Sequence, residues 1–235
     1  LLEWCGSLEI PVVMLSATLP CELKRSFVSA YLRNADKPEI GEQYPLLSFY
    51  PCHGEAQFSA AIEATNTYQL QVELLEDALD DYERLAQVAL DEVREGGCLC
   101  LLVNTVAAAQ AVHEALEVAR EEGVELSLFH ARFKVGDREQ IEEQVRVNFD
   151  KSSSAEVPEA ERLPRPLRAI LVATQVVEQS LDIDFDVMIS QLAPIDLLLQ
   201  RSGRVHRHQR PRPARHGRRR LLVALPAWDG SNFAW

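Results

Sequence analysis

The chain has 235 residues, 47% of them hydrophobic and 26% charged, enough for one large core or two smaller ones, which excludes disordered, collagen-like and disulfide-scaffold classes. No apolar run approaches the roughly 18 to 20 residues of a membrane span, and Leu1-Leu2-Glu3-Trp4 has neither an initiator Met nor the order of a signal peptide. A cytoplasmic piece of a longer protein, with no membrane partner, is the expectation. The net charge of -12 conceals an asymmetry: residues 1–200 carry 15 Lys and Arg against 35 Asp and Glu, whereas residues 201–235 carry nine Arg against one Asp. An acidic body with one dense arginine segment points to localised phosphate binding, with a solvated or disordered basic tail after His208 as the alternative.

In chain order, the apolar run Pro11-Val-Val-Met-Leu15 reads as a strand, and Leu23, Phe27 and Tyr31 give the following segment a helical face that ends before Lys37-Pro38. Residues 46–50 and 67–75 read as strands. Leu79, Tyr82, Leu85, Ala86, Ala89, Leu90 and Val93 form the next helical face, and Gly96-Gly97 ends it before a buried strand over 98–103. A helix over 106–121 and a strand over 125–129 follow. Asp137-Arg-Glu-Gln140 has capping-box spacing ahead of a helix with Ile141, Val145 and Phe149 on one face. Residues 151–166, with Ser152-Ser-Ser154 and three prolines, read as a flexible insert. Strands over 167–173 and 187–192, a helix over 195–202 and a strand over 221–225 complete the pattern. Strand-helix alternation implies an α/β fold with a parallel sheet, helices on both faces and ligand sites at the carboxyl ends of the strands. A domain boundary is expected between residues 38 and 67.

The five cysteines, Cys5, Cys21, Cys52, Cys98 and Cys100, contain no C-x-x-C pair, so no metal site is expected, and Cys98 and Cys100 fall on one face of a strand. The densest chemistry is Gln200-Arg-Ser-Gly-Arg-Val-His-Arg207. Arg204 and Arg207, three apart on a helical turn, would share a face, and Gly203 would let the backbone approach a ligand. Two guanidiniums on one polyphosphate and a Gln that orients water are the elements of phosphoryl-transfer chemistry; a surface arginine ladder without a ligand is the alternative. Upstream, Thr174 stands at a strand end, placed to donate to a phosphate, and Asp182 can accept from a ribose hydroxyl. Ser16 and Thr18 occupy the corresponding place after the first strand.

In this order the segments resemble the later motifs of superfamily 2 helicases: Ser16-Ala-Thr18, Leu102-Val-Asn-Thr105, Phe129-His-Ala-Arg132, Thr174 to Asp184, and Gln200 to Arg207. The wording Val177-Glu-Gln-Ser-Leu-Asp-Ile-Asp-Phe-Asp186, Gln191-Leu-Ala-Pro-Ile-Asp196 and Leu199-Gln-Arg-Ser-Gly-Arg-Val-His-Arg-His208 is similar to the CRISPR-associated helicase-nuclease family of type I systems. The resemblance implies RecA-like modules: the tail of a first module over 1–38, a linker over 39–66 and a second module over 67–235. It implies a DNA motor in CRISPR interference, with Arg204 and Arg207 as arginine fingers and Gln200 positioning water or phosphate. Asp182, Ser180 and Gly203 would face ATP, and Thr105, His130, Arg132 and Thr174 would face single-stranded DNA. Ser16 and Thr18 would couple ATP state to module closure. The implied partners are single-stranded DNA, an RNA-guided surveillance complex, and the first helicase module and nuclease domain of the parent.

The chain contains no G-x-x-x-x-G-K-[ST] loop, no Asp-Glu box and no His-Asp nuclease cluster. ATP with Mg2+ would therefore be bound mainly by another module, and this segment alone is expected to be inactive. A restriction or repair translocase, and a nucleic-acid-binding or docking module without motor function, are the competing readings.

Overall fold

The computed structural model describes residues 1–16, 18–33, 38–43, 45–51, 58–63, 67–178 and 182–228. The chain divides into two compact units, Leu1–Tyr68 and Gln69–Trp235.

In the first unit, α1 (Leu2–Ser7) packs on α2 (Cys21–Leu32), and β1 (Leu46–Phe49) pairs antiparallel with β2 (Phe58–Ala61). The two helices meet closely because residue 6 is glycine: a Cβ there would fall 1.8 Å from the Tyr31 carbonyl oxygen. Lys24 Nζ donates to Ser48 Oγ at 2.8 Å and ties α2 to the hairpin. The strand expected over residues 11–15 does not form. Those residues have no ladder partner among the described residues, and Val13 and Leu15 are exposed. A strand needs a neighbour to satisfy its backbone, whatever its apolar content.

The second unit is a six-stranded, wholly parallel sheet: β3 (Gln71–Leu75), β4 (Gly97–Leu102), β5 (Glu125–Phe129), β6 (Arg168–Ala173), β7 (Val187–Gln191) and β8 (Arg220–Ala224), in the spatial order β3-β8-β7-β4-β6-β5. Helices α3 (Tyr82–Glu92), α4 (Val106–Ala115), α5 (Val118–Glu121), α6 (Val135–Phe149) and α7 (Ile195–Ser202) alternate with the strands, so the α/β expectation holds. Alternation along the strands builds two cores. Leu99, Leu101, Ile170, Val172 and Ile189 pack with Leu85, Ala89, Ala109 and Val112 of α3 and α4. Cys98, Cys100, Leu102, Leu171 and Met188 pack with Val145 and Phe149 of α6. Burial pushes the Cys98 thiol up to about 11 and Cys100 up to about 12, as inert core residues.

Several local expectations need correction. The first strand of this unit begins at Gln71 rather than residue 67, because pairing with β8 starts there. The helix over 106–121 is two helices, the first capped at Leu116 and the second restarting at Val118. Asp137 is not a cap: α6 is entered through Lys134, and Asp137 lies in its first turn, where a negative charge still suits the helix dipole.

The expected insert over 151–166 contains two short 3-10 turns, Lys151–Ser153 and Glu159–Glu161, and is bonded to the arginine segment. Ala155 N–H donates to the Gln209 carbonyl at 2.8 Å, and Arg210 donates to Ser153 Oγ at 2.5 Å and to the Asp150 carbonyl at 2.9 Å.

The arginines after His208 are largely consumed internally. Asp184, fully buried, lies 2.7 Å from Arg210 Nε, 2.9 Å from Arg212 Nη2 and 3.3 Å from Arg165 Nη1. Asp186 accepts from Arg212 Nη1 at 2.5 Å and from the Cys98 amide at 2.7 Å. A second cluster joins Arg215 and Arg220 to Glu92, with Arg220 also reaching Glu73 at 2.7 Å. The solvated-tail alternative therefore fails for Arg210, Arg212, Arg215 and Arg220.

Charges buried this way are paired because an unpaired one is costly. Asp184→Ala leaves three guanidiniums facing a void and is expected to lower the unfolding free energy by about 3–5 kcal/mol in urea titrations. Acid should act in two stages. Burial holds the His206 imidazole down at about 4. The unfolded chain then takes up that proton first, and stability is lost as pH falls from about 6.5 towards 4. For Asp186 and Glu92, burial acts upward but is outweighed by their arginines, so both carboxyls titrate below the usual range. Their contribution is complete above about pH 4 and is lost below it. Urea titrations across pH should show both stages, and His206→Asn should shrink the upper one, which burial of His113, His130 and His216 also feeds.

Candidate nucleotide and nucleic-acid site

The polar segments expected at strand ends collect at two places in the second unit. The first is the carboxyl edge of β4, β6 and β5, where the register sets Leu102 beside Ala173 and Ala173 beside Phe129. Asn104 and Thr105, Thr174, and His130 follow directly, so they stand along one edge spanning about 10 Å at normal strand spacing. Thr105 caps α4 by accepting from the Ala108 amide at 3.1 Å. His130 is buried and stacks on Phe133 with centroids 4.2 Å apart, and its Nδ1 accepts from the Arg132 amide at 3.2 Å. Burial, aided by nearby Arg132, keeps that imidazole below its usual pKa, hence neutral. Thr174 is buried with its amide bonded to the Phe129 carbonyl, while Arg132 is exposed. Gln191 braces the edge: its Oε1 accepts from the Asn104 amide at 2.7 Å and its Nε2 donates to the Leu79 carbonyl at 2.5 Å.

The second place is formed by the turn after α7 and the segment before β7. The expectation that Arg204 and Arg207 share a helical turn is wrong, since α7 ends at Ser202 with Gly203 as its cap. Val205 instead bridges to Phe185, and His206 takes a left-handed φ of 52° that reverses the chain. Burial, followed by repulsion from Arg207, pulls the pKa of Arg204 down, although it remains charged. Arg204 Nη2 donates to the Glu178 carbonyl at 2.7 Å. Arg207, 45% exposed, donates from Nε to Asp182 Oδ1 at 2.5 Å, and its amide donates to Asp184 Oδ1 at 2.6 Å. Burial acts on Asp182 to raise its pKa, but Arg207, His208 and Lys151 outweigh it, so the carboxyl sits below its usual range.

Asp182, expected to face a ribose, is thus occupied by Arg207. Gln200 is exposed on α7, and Gly203 has an ordinary helical φ of -64°, so nothing in its backbone demands glycine. Ser180 lies outside the described residues. Ser16 and Thr18 belong to the first unit, where the Thr18 amide donates to Ser16 Oγ at 3.2 Å.

Sequence reasoning passed over the group beneath this site. Arg201 has no exposed surface. Its Nε donates to Glu178 Oε1 at 2.7 Å, and its Nη1 donates to Ser190 Oγ at 2.7 Å and to the Gln191 carbonyl at 3.2 Å. It ties α7, β7 and the Glu178 turn into one block. The available signal was Glu178, a carboxylate in an otherwise apolar and polar-neutral turn that needs a cation once it is buried.

The two classes of arginine should separate on mutation. Arg201→Ala is expected to cost about 3–5 kcal/mol of stability, because it strands the buried Glu178 carboxylate. Arg207→Ala should cost no more than about 1 kcal/mol, as its ion pair is half exposed. Thermal melts of both variants distinguish them.

Residues 95–210 match the family described as CRISPR-associated nuclease/helicase Cas3, C-terminal. Over 225 residues the chain is 36% identical to the CRISPR-associated endonuclease/helicase Cas3 of Escherichia coli K12, covering 93% of this chain and 24% of that protein. It is similar to a crystal structure of T. fusca Cas3-ATP, with 35% identity, a TM-score of 0.85, and coverage of 99% of this chain and 28% of that one. A chain in the structure of a CRISPR RNA-guided surveillance complex, pre-nicking, is 32% identical with a TM-score of 0.79, over 99% of this chain and 29% of that one. The chain spans about a quarter of the length of the curated relatives it matches.

Proposed function

Because the chain belongs to the CRISPR-associated Cas3 nuclease/helicase family, we propose that it is the part of an ATP-driven single-stranded DNA translocase that supplies arginine fingers and one part of the DNA track. Arg204 and Arg207 act on the phosphates of ATP, with Gln200 positioning water or phosphate, and Asp182, Ser180 and Gly203 face the nucleotide. Thr105, His130, Arg132 and Thr174 contact the DNA strand. Ser16 and Thr18 link nucleotide state to module closure.

The observation that carries this reading is the placement of Arg204 and Arg207 on the turn after α7, with Arg204 bonded to the Glu178 carbonyl and the Arg201–Glu178 ion pair fixing the block beneath them. Like charges held together by buried supports suit an anionic ligand. The Cas3 structures named with ADP, ATP and AMPPNP support a nucleotide as that anion. Among the described residues no group of three or more His, Cys, Asp or Glu side chains could hold a metal. The Mg2+ that accompanies ATP would be held mainly by another module of the parent, since this chain carries no Asp-Glu box. The surveillance complex is the proposed recruiting partner, by likeness to the chain found in such a complex. The DNA reading rests on strand-end hydroxyls and Arg132 lining one edge, groups suited to gripping a phosphate backbone.

The test is ATP turnover by the full-length parent, with and without single-stranded DNA. Arg204→Ala and Arg207→Ala are each expected to reduce DNA-stimulated turnover by about 10³- to 10⁵-fold, with Arg207→Ala leaving folding unchanged. Unchanged turnover would overturn the finger assignment and favour a binding module without motor function.

A further inference from the structure

His208 has no place in the mechanism above, yet its ring lies beside Asp182. Its side chain is buried, and among the described residues its Nε2 makes no hydrogen bond. That nitrogen lies 3.3 Å from Asp182 Oδ1, off the line a bond requires. The same oxygen already accepts from Arg207 Nε at 2.5 Å. Nδ1 faces Glu156 Oε2 at 3.6 Å, in the loop between α6 and β6. The main chain around the ring is anchored: Arg212 Nη2 donates to the His208 carbonyl at 2.8 Å, and the Gln209 amide donates to Glu156 Oε1 at 3.2 Å. Lys151 is the remaining charge acting on Asp182. A buried nitrogen without a partner is rare in native interiors and costly. It is accounted for when the missing bond forms in a second state of the site.

We propose that His208 is a positioning residue that takes over Asp182 when Arg207 leaves it for a phosphate. The proposal rests on the reading of Arg207 as a nucleotide-facing group. In the arrangement described, Arg207 and Asp182 occupy each other, so neither is available to a ligand. Rotating Arg207 outward would leave Asp182 without its main partner. His208 Nε2 is already within reach of the vacated oxygen, and a small tilt of the ring aligns an N–H with it. One charge-assisted hydrogen bond replaces another, and the cost of releasing Arg207 falls accordingly. Glu156 holds the ring from its far side, so the loop over 151–166 becomes part of the handover.

The test measures ATP dependence of turnover in the full-length parent. His208→Leu fills the same space without a donor and is expected to raise the KM for ATP about tenfold, the loss of one such bond, with kcat changed by less than about twofold. His208→Gln, whose amide can donate to Asp182, should return KM to within about twofold of the wild type. Adding His208→Leu to Asp182→Asn should change KM no further, because the histidine acts through that carboxylate. Glu156→Gln, at a half-exposed position, should raise KM about threefold with an unchanged melting temperature, and it decides the matter if His208→Leu fails to fold. An unchanged KM in His208→Leu or in Glu156→Gln, with turnover still lost in Arg207→Ala, overturns the handover alone. Failure of Gln to restore KM, with a melting temperature as low as that of Leu, reduces His208 to packing and also overturns it. Turnover that survives Arg207→Ala overturns the nucleotide-facing reading and the handover with it.

Discussion

The second unit depends on two buried carboxylates, Asp184 and Asp186, at the entry to β7. Asp184 has no exposed surface and gathers Arg165, Arg210 and Arg212, while Asp186 holds Arg212, Arg165 and the amide that begins β4. Four stretches distant in sequence are joined there: the start of β4, the end of the 151–166 loop, the lead into β7 and the arginine segment before β8. The Arg207 amide also bonds Asp184, so the cluster positions the candidate site as well as the fold. Pairing and site placement are consequences of one desolvated charge group that cannot be left half-satisfied.

The arginines consequently fall into two tiers. Arg165, Arg201, Arg210 and Arg212 are internal, each with a carboxylate partner and little contact with water. Arg207 and Arg132 are at the surface, whereas Arg204 is buried, donating to the Glu178 carbonyl with Arg207 as a repulsive neighbour. The planar fork of arginine serves both tiers: it satisfies several buried acceptors at once, and it recognises phosphate bidentately where exposed. Net charge by segment therefore overstated the positive field available to a ligand. Much of the excess in residues 201–220 is neutralised by the acidic body that the same tally counted separately.

The alternating strands and helices of the second unit were legible because each strand carries a continuous apolar run and each helix a one-sided face. Residues 98–102 and 169–173 are apolar on both sides, and both sides are covered by helices. The run over residues 11–15 has the same local character and forms no strand among the described residues. Apolar content is a property of the segment, whereas pairing requires a neighbour. The motif residues were likewise legible as residue types at strand ends. The helical turn assigned to Arg204 and Arg207 was not, because Gly203 and the left-handed His206 redirect the chain in a way that a spacing of three does not reveal.

The sequence by itself determined the α/β class, the family, and which polar groups stand at the carboxyl ends of strands, since hydrophobic period and motif order are local or linear properties. Tertiary structure alone decided which arginines are supports and which face outward, that Asp182 is engaged by Arg207, and that His208 lies beside the same oxygen. Those outcomes depend on which carboxylates lie within about 4 Å in space and how far water is excluded there, and Coulomb energy and desolvation are set by these distances rather than by position along the chain.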